Sequence, residues 1–78
     1  MRYSFTKKYD KELWGVLDAE SPLDAIAQFD KAIRNREWYV TGVWMEQNNE
    51  GVIHWIATVE GQKDSVGFAH YVVNNTME

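Results

Sequence analysis

The residues able to do chemistry in this chain are few, and their spacing limits what they can do. There are two histidines, His54 and His70, and no cysteine. A zinc site takes three or four ligands, so two histidines would need help from Glu46 or Asp64. Strand alternation works against this. Pairing Val59 with Val66 puts His70 on the apolar side of its strand and leaves His54 on the mixed side of its own, so the two are expected on opposite faces. His70 then reads as a core-edge histidine with a backbone partner, and His54 as a surface strand residue. A nucleophilic set would need a hydroxyl, a base and an orienting acid. Only Ser65, His70 and Asp64 lie near one another, and Ser65 and Asp64 read first as turn residues that hydrogen-bond their own backbone. Asp18 and Glu20 flank a helix entry, where they act as charge beside the positive end of the dipole. The glycines at 15, 42, 51, 61 and 67 never form a Gly-rich loop ahead of a helix. The expectation is a chain that is not an enzyme, with no catalytic set, no metal and no cofactor.

Composition narrows the class further. Seventy-eight residues form one domain (1–78) with room for one core. A hydrophobic content of 45%, with four Trp, four Tyr and three Phe, is far above that of a disordered chain even at a net charge of −4. Disorder is expected only at the ends, with 73–78 as a flexible tail. The lack of cysteine in so small a domain points to a cytoplasmic location. The start "MRYSFTKKYDK" lacks the apolar run of a signal peptide, and no apolar segment reaches the roughly 20 residues that cross a bilayer, so no membrane association is expected. The acids are scattered from Asp10 to Glu78, which suits solubility better than mimicry of a phosphate backbone. The bases form two small groups, Lys7/Lys8/Lys11 and Lys31/Arg34/Arg36. That is thin for a nucleic-acid surface, and the second group also suits the negative end of a helix dipole.

The elements that position these residues follow from local signals. In "DAESPLDAIAQFDKAIRNR", Ser21 is an N-cap, Pro22 the first helical residue and Asp24 an acid in the first turn. Leu23, Ile26, Phe29 and Ile33, flanked by Ala25 and Ala32, draw one apolar stripe. Before the helix, Tyr3 and Phe5 alternate with polar residues, and Leu13, Val16 and Leu17 follow the polar turn "KKYDKE", which predicts a hairpin. After it come three strand-like runs, Trp38 to Glu46, Val52 to Val59 and Val66 to Val73, joined by spacers rich in Asn, Gly and Asp. The fold class is α+β: one antiparallel sheet of about five strands with one helix on one face, in the order β-β-α-β-β-β.

Alternation assigns the faces. Ile53, Trp55, Ala57 and Val59 belong under the helix, with Val66, Phe68, His70 and Val72 beside them. Gly67, Ala69 and Tyr71 then point outward with His54 and Ile56. The run from Trp38 leaves two choices one residue apart: Trp38, Val40, Gly42 and Trp44 inward, or Tyr39, Thr41, Val43 and Met45 inward. A helix about 10 Å across covers two or three strands spaced about 4.8 Å apart. An apolar outer face is therefore expected to be free for a partner or a second copy, unless strand curvature and the first hairpin close over it. The candidate contact residues are Trp38, Trp44, His54, Ile56 and Tyr71, with Lys7, Lys8 and Lys11 at the rim. The last strand, "VGFAHYVV", reads as a free edge able to add a strand from another chain.

The element order, with Ala19, Glu20, Ser21 and Ala25 at the passage from strand to capped helix, resembles small phage-encoded anti-CRISPR proteins of the type I-F group. The resemblance in order covers nearly the whole chain, and those residues carry helix initiation and packing. It implies a non-catalytic inhibitor that docks on a host surveillance complex, a nucleoprotein, and prevents it from binding target nucleic acid. The residues alone leave open a self-associating module that uses its aromatic face as a homodimer interface. Direct nucleic-acid binding through Lys7, Lys8, Lys11, Arg34 and Arg36 is a further alternative.

Overall fold

The computed structural model describes residues 1–61 and 67–75. Strands β1 (Arg2–Lys7) and β2 (Leu13–Asp18) form the first hairpin, helix α1 (Pro22–Ile33) follows, and a single 3-10 turn (Arg34–Arg36) leads into β3 (Trp38–Gln47), β4 (Ile53–Gly61) and β5 (Gly67–Asn75). The elements make one antiparallel sheet in the spatial order β2-β1-β5-β4-β3. The helix begins where its chemistry says it should. Ser21 Oγ accepts the Asp24 N–H at 3.1 Å, and Asp24 Oδ2 accepts the Glu20 N–H at 3.1 Å, satisfying donors at the amino end.

The chain leaves the sheet at one edge, β2, and re-enters at the other, β3. The end of β2 and the start of β3 also lie at opposite ends of the strands. Helix α1 therefore crosses the sheet corner to corner. Twelve residues span about 18 Å at 1.5 Å each, close to the ~19 Å width of five strands. Under this diagonal lie Tyr3, Phe5, Ala57, Val59, Tyr71 and Val73, packed against Ala25, Ile26, Phe29 and Ile33. Phe29, fully buried, is the hub. Its ring stacks on Phe5 with centroids 4.2 Å apart and meets Trp14 and Tyr71 edge-on at 4.7 and 5.2 Å. Leu23, expected on the same stripe, is exposed because it precedes the point where the helix reaches the sheet.

A diagonal helix leaves two corners of its face of the sheet bare. At the β1–β2 corner a register shift between Phe5 and Thr6 breaks the alternation, and Trp14 turns against Phe29. At the β3–β4 corner nothing comparable happens among the described residues, and Val43, Met45 and Ile53 stay 40%, 55% and 58% exposed.

Three expectations about the strands are corrected. First, β3 follows neither simple alternation. A bulge between Val40 and Gly42 resets the pleat, so Trp38 and Val40, and then Val43 and Met45, share the helix side, while Trp44 points away. Second, Val59 pairs with Ala69 and Gly61 with Gly67. This differs by an odd number of residues from the expected Val59–Val66 pairing, which turns β5 over. Tyr71 and Val73 enter the core, and Phe68, His70 and Val72 face out, because the large ring of Tyr71 gains more by packing on Phe29 than His70 would. Third, β5 is central rather than a free edge, since β1 inserts beside it to bring Phe5 under the helix. The same pairing places residues 73–75, expected within a flexible tail, in a strand, with Val73 buried opposite Phe5.

The two edges are β2 and β3, and the first half of β3 is occupied. The Val40 N–H donates to Asp30 Oδ1 at 2.8 Å, while Asp30 Oδ2 accepts from Arg34 Nε and Nη2 at 3.1 and 2.9 Å. A helix carboxylate thus stands where a neighbouring strand would be.

These contacts set the mutational pattern. Phe29→Ala is expected to cost about 3–5 kcal/mol in urea unfolding. Leu23→Ala should stay within about 0.5 kcal/mol of the parent. Asp30→Ala, which orphans the Val40 donor, should cost about 1–3 kcal/mol.

Candidate partner-binding surface

The face of the sheet away from the helix is built by alternation along its strands, four of which, β1, β5, β4 and β3, form the candidate surface. Ser4 and Thr6 come from β1, His70 and Val72 from β5, His54, Ile56 and Thr58 from β4, and Trp44 and Glu46 from β3. Lys8 follows β1 and its N–H donates to the His70 carbonyl at 2.9 Å, which places it at the end of the same face. Its ammonium reaches Glu46 Oε1 at 2.6 Å. Strands β5 and β4 lie between them, and three strand spacings amount to about 14 Å in a flat sheet. The contact requires both side chains to lean inward over a sheet that coils around them, so the outer face is concave.

The two groups close a lid. The other Glu46 oxygen accepts from Trp44 Nε1 at 3.2 Å, and the Trp44 ring meets His70 edge-on at 5.2 Å. His70 Nδ1 is 2.9 Å from Thr58 Oγ1. Beneath this bridge Ile56 is only 2% exposed although it faces away from the helix. The expected open apolar face is therefore covered by the first hairpin and by long side chains from the β3 edge.

The candidate residues divide accordingly. Trp44, His54, Ile56 and Lys8 share the outer face, with Lys7 and Lys11 lining its rim. Trp38 and Tyr71 do not: the bulge in β3 sends Trp38 against the core, and the register of β5 buries Tyr71 against Phe29. Burial accordingly pushes the Tyr71 phenol above its ordinary value. His54 and His70, expected on opposite faces, lie on the same one. They belong to no group of three or more metal-ligating side chains among the described residues. Ser65 and Asp64 lie outside the described residues. No helix among the described residues is long and apolar enough to cross a membrane.

Two groups of residues escaped the sequence reading. Val43, Met45 and Ile53 are exposed because of the helix's diagonal path, which no local pattern encodes. Glu46 and Asn48 were legible only in part: the spacer "QNNEG" signals a turn, and Asn48 Oδ1 does accept the N–H groups of Glu50 and Val52, each at 2.9 Å. With that oxygen occupied, the Asn48 amide presents its NH2 to His54 Nε2 at 3.2 Å. His54 Nε2 therefore accepts, and the neutral ring carries its proton on Nδ1.

The Lys8 ammonium and the Trp44 indole N–H, both donating to its carboxylate, hold Glu46 below the ordinary glutamate range. A carboxylate depressed in the folded state contributes stability above its unfolded pKa and loses it as pH falls through the lower folded value. Acid titration followed by tryptophan fluorescence should show a step below the ordinary glutamate range, as the Trp44 contact is released. Glu46→Gln should abolish that step, and so should Trp44→Phe. In the comparisons with known proteins, no family model, curated protein or solved structure matches this chain.

Proposed function

We propose that the chain is a small non-catalytic protein-binding module. The resemblance of its element order to that of small phage-encoded inhibitors supports a role as an inhibitor that docks on a host defence complex and blocks target nucleic-acid binding. The observation that carries the binding reading is the bare corner of the β3–β4 hairpin. Val43, Met45 and Ile53 on the helix side, Trp44 on the other and Val52 in the turn gather five of the exposed large apolar side chains into one hairpin. Trp and Met are enriched at protein interfaces, and an apolar cluster of this kind on a small chain marks a contact surface.

The apolar anchors of the contact area are thus at the β3–β4 hairpin. Alanine at Met45 or Ile53 should lower partner affinity by about 2 kcal/mol where the residue is a buried anchor, with unfolding unchanged within about 0.5 kcal/mol. Addition of the protein to a type I-F surveillance complex should abolish its shift of target DNA in a gel, and the Met45 and Ile53 variants should restore it. If the wild-type protein left target binding untouched, the inhibitor assignment would be wrong.

The free second half of β3 favours one other reading, a homodimer formed by edge-to-edge pairing of two β3 strands. Sedimentation at micromolar concentration separates the two: a monomer removes the dimer, and a dimer dissociated by Met45→Asp establishes it.

A further inference from the structure

We infer that the concavity on the outer face, over Ile56 and Val72, is a carboxylate-binding site that takes an acidic side chain from an incoming chain in exchange for Glu46. The groove has a volume of about 260 Å³, small for a drug-sized ligand and suited to one side-chain group. Its floor is apolar, and its rim carries Lys7, Lys8 and Lys11 against the single acid Glu46. Three cations in one hollow are out of keeping with a chain of net charge −4.

The hollow already holds a carboxylate. Lys8 Nζ reaches Glu46 Oε1 at 2.6 Å from within the hollow, and Trp44 Nε1, from outside its lining, holds the other oxygen at 3.2 Å. Glu46 is tethered to the β3 edge and acts as an internal competitor. The remaining rim is not used up. Lys7 has only a 4.0 Å approach to Glu12, and Lys11 makes no ion pair among the described residues. His54 keeps Nδ1–H as a donor, since Nε2 is engaged by Asn48.

Lys11 is also placed at a cost. It holds φ +63°, a left-handed conformation that glycine or asparagine adopts more easily. The loop fixes it there: the Lys11 N–H donates to the Lys7 carbonyl at 3.0 Å, and the Lys7 N–H to the Glu12 carbonyl at 2.8 Å. A lysine in a position that glycine would fill with less strain, lining a groove that already contains two lysines, is accounted for by an anion in that groove.

The acidic chain is the partner of the protein-binding reading, and only that origin rests on it. The site itself can be tested on the isolated protein. In ¹⁵N–¹H spectra, a blocked glutamate dipeptide should shift the signals of Lys11, His54 and Asn48 saturably, beyond a matched sodium chloride titration. Lys11→Gln should weaken the dipeptide by about two- to fivefold, the range of one exposed ion pair, and Glu46→Gln should strengthen it by a similar factor. Lys11→Gly, which relieves the backbone strain, should weaken binding as Lys11→Gln does while raising the unfolding midpoint. Met45→Ala, at the hairpin corner, should leave dipeptide binding unchanged. Shifts that merely follow ionic strength, a Glu46→Gln variant no tighter than the parent, or inorganic phosphate binding more tightly than the dipeptide would each overturn the assignment. None of these results depends on whether a protein docks at the hairpin.

Discussion

The seat of Phe29 is the constraint on which the remaining structure depends. Its ring lies flat on Phe5 and is met edge-on by Trp14 and Tyr71, so one helical side chain ties together β1, β2 and β5. Because β2 and β3 are opposite edges of the sheet, the helix that carries Phe29 must cross all five strands, and its crossing point fixes where burial ends. A domain this small buries only about 60% of its unfolded surface. The diagonal decides which apolar residues fall in the remainder.

The unequal treatment of the two bare corners follows from this. On the β1–β2 side, a break in pairing brings Trp14 edge-on to Phe29 at the margin of the core. On the β3–β4 side, the irregularity lies nearer the middle of the strand, between Val40 and Gly42. There it serves to bring Trp38 and Val40 into the core, and the residues beyond it face an uncovered space. One aromatic ring, itself still 38% exposed, partly covers the first corner, while Val43, Met45 and Ile53 leave the second open.

Much of this fold could be read from the chain, and the failures have a common cause. The capped helix, the five strands and their order rest on local signals: Ser21-Pro22, the apolar stripe, and period-two runs between Asn- and Gly-rich turns. Faces depend on register, which is a relation between strands. The turnover of β5 came from an odd offset in its pairing with β4, and it exchanged Tyr71 for His70 in the core. The two alternations weighed for β3 were each half right, because one extra residue at Thr41 joins the first half of one to the second half of the other. Of the contact residues, Trp44, His54, Ile56 and Lys8 were legible as a shared face. The bridge from Lys8 to Glu46 spans 38 residues of sequence and depends on sheet coiling, which alternation does not report.

The carboxylate of Asp30 against the Val40 amide has a bearing on assembly. An incoming β-ribbon can zip along β3 from the Gln47 end, but at Val40 it meets a donor already taken, held in place by Arg34. The ladder is thereby given a fixed terminus. Strand addition on this border is confined to its second half, and whatever docks there meets a short, directional register, while the opposite border, β2, lies outside the reach of this device.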